Sequence, residues 1–254
     1  LQKDSPSDFR PIVPPDVLYK FSARVAIRIF GRKIKKVVGP FSTAFLVEGG
    51  VSLTACTVKA HLQSYPLDPV VMTDFSKGYS TVRREALRVQ LEAKLPCLLG
   101  IFDSFYSGSN MISFRVDGDL KCTMMANGLL QGDPLAPAYY SILNSDLREQ
   151  FNCSESPFDS DGSPILTNED SEAIVRTKYL EHIDDGVFVG NKDHILEIFP
   201  QYLSYSKEWG GVPKASKFII YFHSLDAYHI AVSSGFIQNM KSIIGFEPNI
   251  KIGQ

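Results

Sequence analysis

The stretch YLEHIDDGVFV, residues 179–189, sets the tightest limit on the fold. Two adjacent acids, Asp184 and Asp185, interrupt an apolar run, with Ile183 before them and Val187, Phe188 and Val189 after. Short apolar segments on either side of a polar pair and a glycine read as strand, turn, strand. Gly186 is expected to supply the awkward backbone angle of that turn. The acids themselves have two readings at this point. They are turn residues alone, or carboxylates set at a strand end to do chemistry.

Around this hairpin the chain alternates helical and strand periods. Residues 16–31 carry apolar positions 17, 18, 21, 25 and 29 at helical spacing, with Gly31 as the expected stop. A short apolar strand at 69–73 ends at Asp74, and residues 81–99 read as a helix ended or bent near Pro96. The segment MISFRVDGDLKCTMM predicts a hairpin about its Asp-Gly-Asp turn. A Gly/Pro-rich loop at 127–137, within which Asp133 reads as an ordinary turn residue, opens a helix over 138–151. There Tyr139, Ile142, Leu143, Leu147 and Phe151 share a face. The stretch 152–173, rich in Ser, Asp, Pro and Gly, reads as a flexible acidic excursion. A helix from about Asp193, interrupted at Pro200, and strands near 217–222 and 228–232 complete the pattern. The class is α+β, with helices covering one sheet face.

Composition removes several functional classes. No apolar run approaches ~18 residues, so no membrane span is expected. Cys56, Cys97, Cys122 and Cys153 are widely spaced and form no CxxC, which argues for reduced thiols in an intracellular protein. The first residue is Leu1 inside a polar segment, and the chain reads as a piece of a longer polypeptide. A net charge of −2 hides an asymmetry. Seven basic residues and no acid lie between Val17 and Leu46, whereas 146–172 hold eight acids against Arg148 alone. The basic block suits either a polyanion or a solvated helix face.

Asp74 at one strand end, a QGDP loop and the Asp184–Asp185 turn then follow in order. Carboxylates at the ends of adjacent strands suit a pair of divalent ions ~4 Å apart. Magnesium favours such oxygen ligands and is commonly completed by substrate phosphates, which points to phosphoryl transfer.

These segments resemble the motifs of reverse transcriptases, particularly those of non-LTR retrotransposons. VVMTDFSKGYSTV is similar to the first palm motif, with Asp74 followed five positions later by Tyr79. GLLQGDPLAP resembles the second through Gly128, Gln131, Gly132, Pro134 and Leu135, and HIDDGVFVG the third. FRPIVPPDVLYKFSARV is similar to the fingers motif around Arg10, Pro11 and Ile12, and GGVPKASKF to the motif ending on Lys217. SIIGFEPNIKIG resembles the segment near the palm's end. The resemblance covers almost the whole chain, in family order. It departs at His182, where the family has Tyr, Phe or Ala, and at Ser80, Gly78 and Lys214; PFSTAF lacks the usual glutamine.

The resemblance implies fingers over 1–66 and a palm over 67–254, with an antiparallel palm sheet, covering helices and no recognisable thumb. It implies an RNA-directed DNA polymerase of a retroelement, with RNA template, DNA primer and deoxynucleoside triphosphates as partners and a nuclear site of action. Two Mg²⁺ ions, replaceable by Mn²⁺, would be held by Asp74, Asp184 and the Phe75 carbonyl, with Asp185 in support. Arg10, Tyr79, Gln131 and Gly132 would meet the nucleotide, Tyr79 as the gate against ribose, and Lys217 would serve the leaving pyrophosphate. Arg24, Arg28, Arg32 and Lys33 would track template phosphates. Two other readings separate cleanly. A metal-dependent hydrolase built on His182, Asp184 and Asp185 would need further His or Asp ligands in tandem motifs, and none are found. A silent scaffold would be expected to have lost the three aspartates, which are all retained.

Overall fold

The computed structural model describes residues 15–39, 41–152 and 177–253; Arg10 and nearly all of the acidic excursion lie outside them. Helices α1 (Val17–Val38) and α2 (Gly50–Ser64) precede strand β1 (Val70–Asp74). Then come α3 (Gly78–Thr81), α4 (Arg84–Lys94), α5 (Leu99–Tyr106) and the hairpin β2 (Asn110–Val116) and β3 (Asp119–Met125). Helices α6 (Ala136–Leu143) and α7 (Ser145–Asn152) lead towards β4 (Lys178–His182) and β5 (Asp185–Val189). The described chain ends with α8 (Lys192–Glu208), β6 (Ile219–Phe222), α9 (Leu225–Ser233), α10 (Phe236–Ile244) and β7 (Asn249–Ile252).

The main sheet has the order β4-β5-β1-β6-β7. It is antiparallel through the first four strands, and β7 adds parallel to β6. Strand alternation divides its residues cleanly. Val71, Phe188, Tyr179 and Ile220 share one face, where Phe151 of α7 and Phe199 and Tyr202 of α8 meet them; Tyr179 and Phe188 stack at 4.6 Å. Each such buried side chain contributes about 1.5–3 kcal/mol. On the other face α2 covers only the end far from the acids, where Leu62 packs on Val70 and Val189.

Several elements depart from the sequence reading. Helix α1 runs past Gly31 to Val38, and its buried residues are Ala23, Ala26, Gly31, Ile34 and Val38. The apolar positions 17, 18, 21, 25 and 29 face outwards instead. Small residues allow the close approach: a Cβ on Gly31 would stand 3.1 Å from Leu46. The stop is Gly39, at φ 70°. Pro200 does not interrupt α8. One lost backbone bond there costs ~3 kcal/mol, less than burying Ile195, Phe199 and Tyr202 contributes. Residues 228–232 are helical, not a strand, because Ser224 caps α9 and Ala227 and Ala231 bury one turn apart. The helix expected over 81–99 does end near Pro96, as its sequence implies, whereas the one expected over 138–151 is split at Asn144. Cys56, Cys97 and Cys122 are free thiols.

Candidate active site at the open end of the sheet

Asp74 and Asp185 are direct cross-strand partners on β1 and β5, and His182 is the partner of Asp185 on β4. All three therefore lie on the open face. The turn between β4 and β5 is two residues long, Ile183 and Asp184. Its awkward angle falls on Ile183, at φ 60°, and not on Gly186. A left-handed β-branched residue is strained and persists only where its surroundings hold it. Gly186 is needed for space: a Cβ there would lie 2.7 Å from Thr73 Oγ1 and 3.1 Å from Tyr179 and Tyr202. Gly78 is similarly confined, 3.0 Å from the Asp184 Cβ on the same construction, which presses the first turn of α3 against the acid hairpin.

The acids are crowded. Burial raises the pKa of Asp185, and the charges of Asp184 and Asp74 raise it further, against the lowering effect of Lys217 and His182. Lys217, delivered by a 3-10 turn after β5 and α8, pairs with Asp74 Oδ2. Its segment is fixed by Lys214 N–H donating to the Asp74 carbonyl at 2.8 Å. The other oxygen, Asp74 Oδ1, is buried without a hydrogen-bond partner among the described residues. Phe75 packs its ring on Trp209 at 5.0 Å, which anchors the backbone just past Asp74. Among the described residues no three His, Cys, Asp or Glu side chains form a ready-made metal cage. The donor set nonetheless suits Mg²⁺: hard carboxylates, an orphaned buried oxygen, and room for ligands from a substrate.

Beside the acids is a cavity of about 230 Å³ lined by Tyr79, Gln131, Gly132, Asp133, Ala136, Pro137 and Asp184. The structure thus brings together four of the residues singled out in sequence, from three separate segments. The loop 128–135 is strapped to α3, with Gly128 N–H donating to the Val82 carbonyl at 2.8 Å and Leu129 N–H to that of Tyr79 at 2.7 Å. Arg84, buried beneath, donates to the carbonyls of Gly128 and Gly108 at 3.0 and 2.6 Å. A second cavity, about 360 Å³, holds Asp74, Asp185 and Lys217 on its wall. A third, of about 730 Å³ and mostly apolar, lies between α2 and the open sheet face with His182 and Asp185 at its edge.

Asp133 is more than the ordinary turn residue expected. It is 3% exposed. Its Oδ1 accepts from Leu135 N–H at 2.8 Å, and its Oδ2 from the hydroxyls of Tyr106 at 2.7 Å and Tyr19 at 3.0 Å. Tyr19 belongs to α1, so one carboxylate fastens that helix to the cavity loop. A second buried acid, Glu181, pairs with Arg148, whose guanidinium also donates to the Ser141 and Val38 carbonyls. Burial pushes Glu181 up to about 7 against the lowering effect of Arg148. Thr43 Oγ1 meets His182 Nδ1 at 3.2 Å. Sequence reasoning missed these supports. The readable signal is phase: Glu181 falls on the same strand face as Tyr179, which is a core face.

Arg24, Arg28, Arg32 and Lys33 are all exposed on α1, and Arg10 lies outside the described residues.

No protein-family profile matches the chain, and no curated protein matches it. Solved structures do. The chain is similar to apo telomerase from Candida tropicalis at TM-score 0.53 and 12% identity, over 82% of this chain and 36% of that one. It is also similar to telomerase from Candida tropicalis in complex with the TWJ fragment of telomeric RNA, at TM-score 0.51 and 12% identity, over 80% and 33% of the two chains. The chain spans about a third of those proteins. The fold is that of the fingers and palm of a right-hand polymerase.

Proposed function

We propose that this chain carries the polymerising centre of a non-LTR-type retroelement, an RNA-directed DNA polymerase that acts in the nucleus on an RNA template, a DNA primer and deoxynucleoside triphosphates. The observation that carries the reading is the meeting of three segments: the acids on β1 and the β4–β5 hairpin stand beside the cavity of Tyr79, Gln131 and Gly132.

In this reading Asp74, Asp184 and the Phe75 carbonyl hold two Mg²⁺ ions, for which Mn²⁺ substitutes, and Asp185 supports them. When bound, the ions supply charge to the attacking hydroxyl and the leaving oxygen of an in-line displacement. The chain's own residues do the rest. Gly132 lets the base pair approach the loop, and Gln131 forms its floor. Tyr79 fills the space beneath the sugar. Lys217 is placed to exchange its contact with Asp74 for one with the departing pyrophosphate, as a charge or proton donor. His182, oriented by Thr43, faces the open side where the primer end would rest. Arg24, Arg28, Arg32 and Lys33 grip template phosphates, and Arg10 meets the nucleotide. The acid count of the described site, complete only with substrate oxygens, suits such a substrate-completed metal pair.

Primer extension on an RNA template, with and without Mg²⁺, tests the reading. Metal-dependent addition of deoxynucleotides is expected, and it should vanish in Asp184→Asn. Extension equal in the mutant and wild type would end the assignment.

A further inference from the structure

Helix α6 is enclosed by the core, and each of its residues from Ala138 to Leu143 is buried. The ring of its Tyr140 packs against Tyr79 and Trp209, both at a centroid distance of 5.4 Å. The hydroxyl is different. It is buried with no hydrogen-bond partner among the described residues. A hydroxyl in that state is destabilising, and a phenylalanine would supply the same ring without it. Burial, and then the charge of Asp184, raises its pKa, so the oxygen keeps its proton and is a donor that lacks an acceptor.

Gly78 places that oxygen beside the acid hairpin. A Cβ built on Gly78 would stand 3.3 Å from the Tyr140 hydroxyl oxygen, 3.3 Å from Asp184 Oδ2 and 3.0 Å from Asp184 Cβ. The hydroxyl and the carboxylate oxygen therefore border one gap, and that gap is the space a methyl group would occupy. Gly78 is the first residue of α3, in helical backbone that any residue adopts, so no turn angle requires a glycine there. What the glycine keeps open is the gap. It is also one of the positions at which the chain departs from the family it resembles.

We infer that Tyr140 is a positioning residue for Asp184: across the gap at Gly78 its hydroxyl donates to the carboxylate oxygen turned away from a bound divalent cation, and so holds the other oxygen towards the ion. The terminal torsion of an aspartate is soft, so the carboxylate reaches the hydroxyl without movement of the backbone. A ligand whose outer oxygen is held by a buried donor is fixed in direction, and such partners behind the ligand govern metal affinity. The arrangement joins α6, α3 and the β4–β5 turn at one point. The inference rests on the polymerase reading only in taking Asp184 as a metal ligand.

The test is Mn²⁺ binding to the whole chain, followed by electron paramagnetic resonance. Asp184→Asn should remove the tightest class of bound ion, which identifies the site. Tyr140→Phe keeps the ring and should weaken that class about tenfold. Its thermal midpoint should stay the same or rise, because the orphaned hydroxyl is gone. Gly78→Ala fills the gap and should weaken Mn²⁺ to a similar extent. Combined with Tyr140→Phe it should add no further loss, since both act through one contact. In primer extension Tyr140→Phe should lower kcat about tenfold and leave KM for the deoxynucleotide unchanged. Unchanged Mn²⁺ affinity in Tyr140→Phe, or losses that add in full in the double variant, overturns the inference. So does a thermal midpoint that falls together with the affinity, which would make the hydroxyl a packing group. The two claims fail separately. A wild type that holds Mn²⁺ through Asp184 and Tyr140 but extends no primer supports the positioning and fails the polymerase reading. A wild type that extends primer, with Mn²⁺ affinity indifferent to Tyr140→Phe, does the reverse. Binding indifferent to Asp184→Asn overturns both.

Discussion

Asp133 and the Asp74–Asp184–Asp185 group stand on either side of one small region and are treated in opposite ways. Asp133 is surrounded by neutral donors: one backbone N–H and two tyrosine hydroxyls satisfy both of its oxygens. Burial raises its pKa, and those three hydrogen bonds oppose the rise. The other group has like charges for neighbours, Lys217 and His182 as opposing charges on Asp185, and one buried oxygen, Asp74 Oδ1, with no partner among the described residues. A buried acid completed by the protein holds structure. An acid set left incomplete by the protein keeps a place for something positive from outside.

The largest expected effect tests that division. Asp74→Asn and Asp184→Asn should each lower primer extension by about a thousandfold or more, equivalent to about 4 kcal/mol, with thermal stability unchanged or improved. Asp133→Ala should do the opposite, losing about 4 kcal/mol of stability in urea unfolding as two hydroxyls and an N–H lose their acceptor. If Asp74→Asn unfolds the protein and Asp133→Ala does not, the two groups have been assigned the wrong way round.

The acid hairpin is legible in the sequence because strand period two and a turn of polar residues are local signals, and local signals survive folding. What is not legible depends on neighbours distant in sequence. Pattern alone assigns the turn angle to Gly186 and a strand to Ile183, because the close approach of Thr73 and Tyr202 is set by other elements. Pattern also puts the apolar row of α1 inside, since hydrophobicity outranks size in any periodic reading. The structure buries Ala23, Ala26 and Gly31 because only small residues permit that contact. Residues 228–232 carry the β-branched Ile230 and Val232, and the Ser224 cap outweighs them. Asp133 reads as a turn because its partners Tyr19 and Tyr106 lie 114 and 27 residues away.

Glu181 falls between the two treatments, and pH sharpens the comparison. Its pKa in the folded chain is about 7, above its ordinary value of about 4.3 when unfolded. A raised folded value means the contribution is fully present below the unfolded pKa and is lost as pH rises through the folded one. Urea unfolding from pH 5 to 8 should therefore show stability declining from this group by on the order of 3 kcal/mol. Asp185, also raised, acts in the same direction. In Glu181→Gln the decline should shrink by that amount. An identical slope in mutant and wild type would show that Arg148 offsets the burial entirely.

The smallest effect concerns Tyr79, whose ring belongs partly to each side of the comparison. It lines the small cavity with Gln131 and Asp184, and its centroid lies 5.4 Å from that of Tyr140 in the core. It is half-buried, and burial followed by the Asp184 charge pushes its hydroxyl well up, so it stays neutral. In the proposed reading a neutral ring in that place excludes ribose by volume, since packed side chains yield poorly to an added hydroxyl. Tyr79→Ala should cost about 1–2 kcal/mol of stability, roughly half the loss of a fully buried aromatic. It should also raise ribonucleotide use relative to deoxynucleotide about tenfold, or ~1.4 kcal/mol of discrimination. Tyr79→Phe keeps the ring and should leave that ratio unchanged. The measurement is kcat/KM for both nucleotide types in wild type and the two variants. A stability loss in Tyr79→Ala with no change in sugar choice would make the ring a core side chain, and the exclusion of ribose would then have to come from another wall of the cavity.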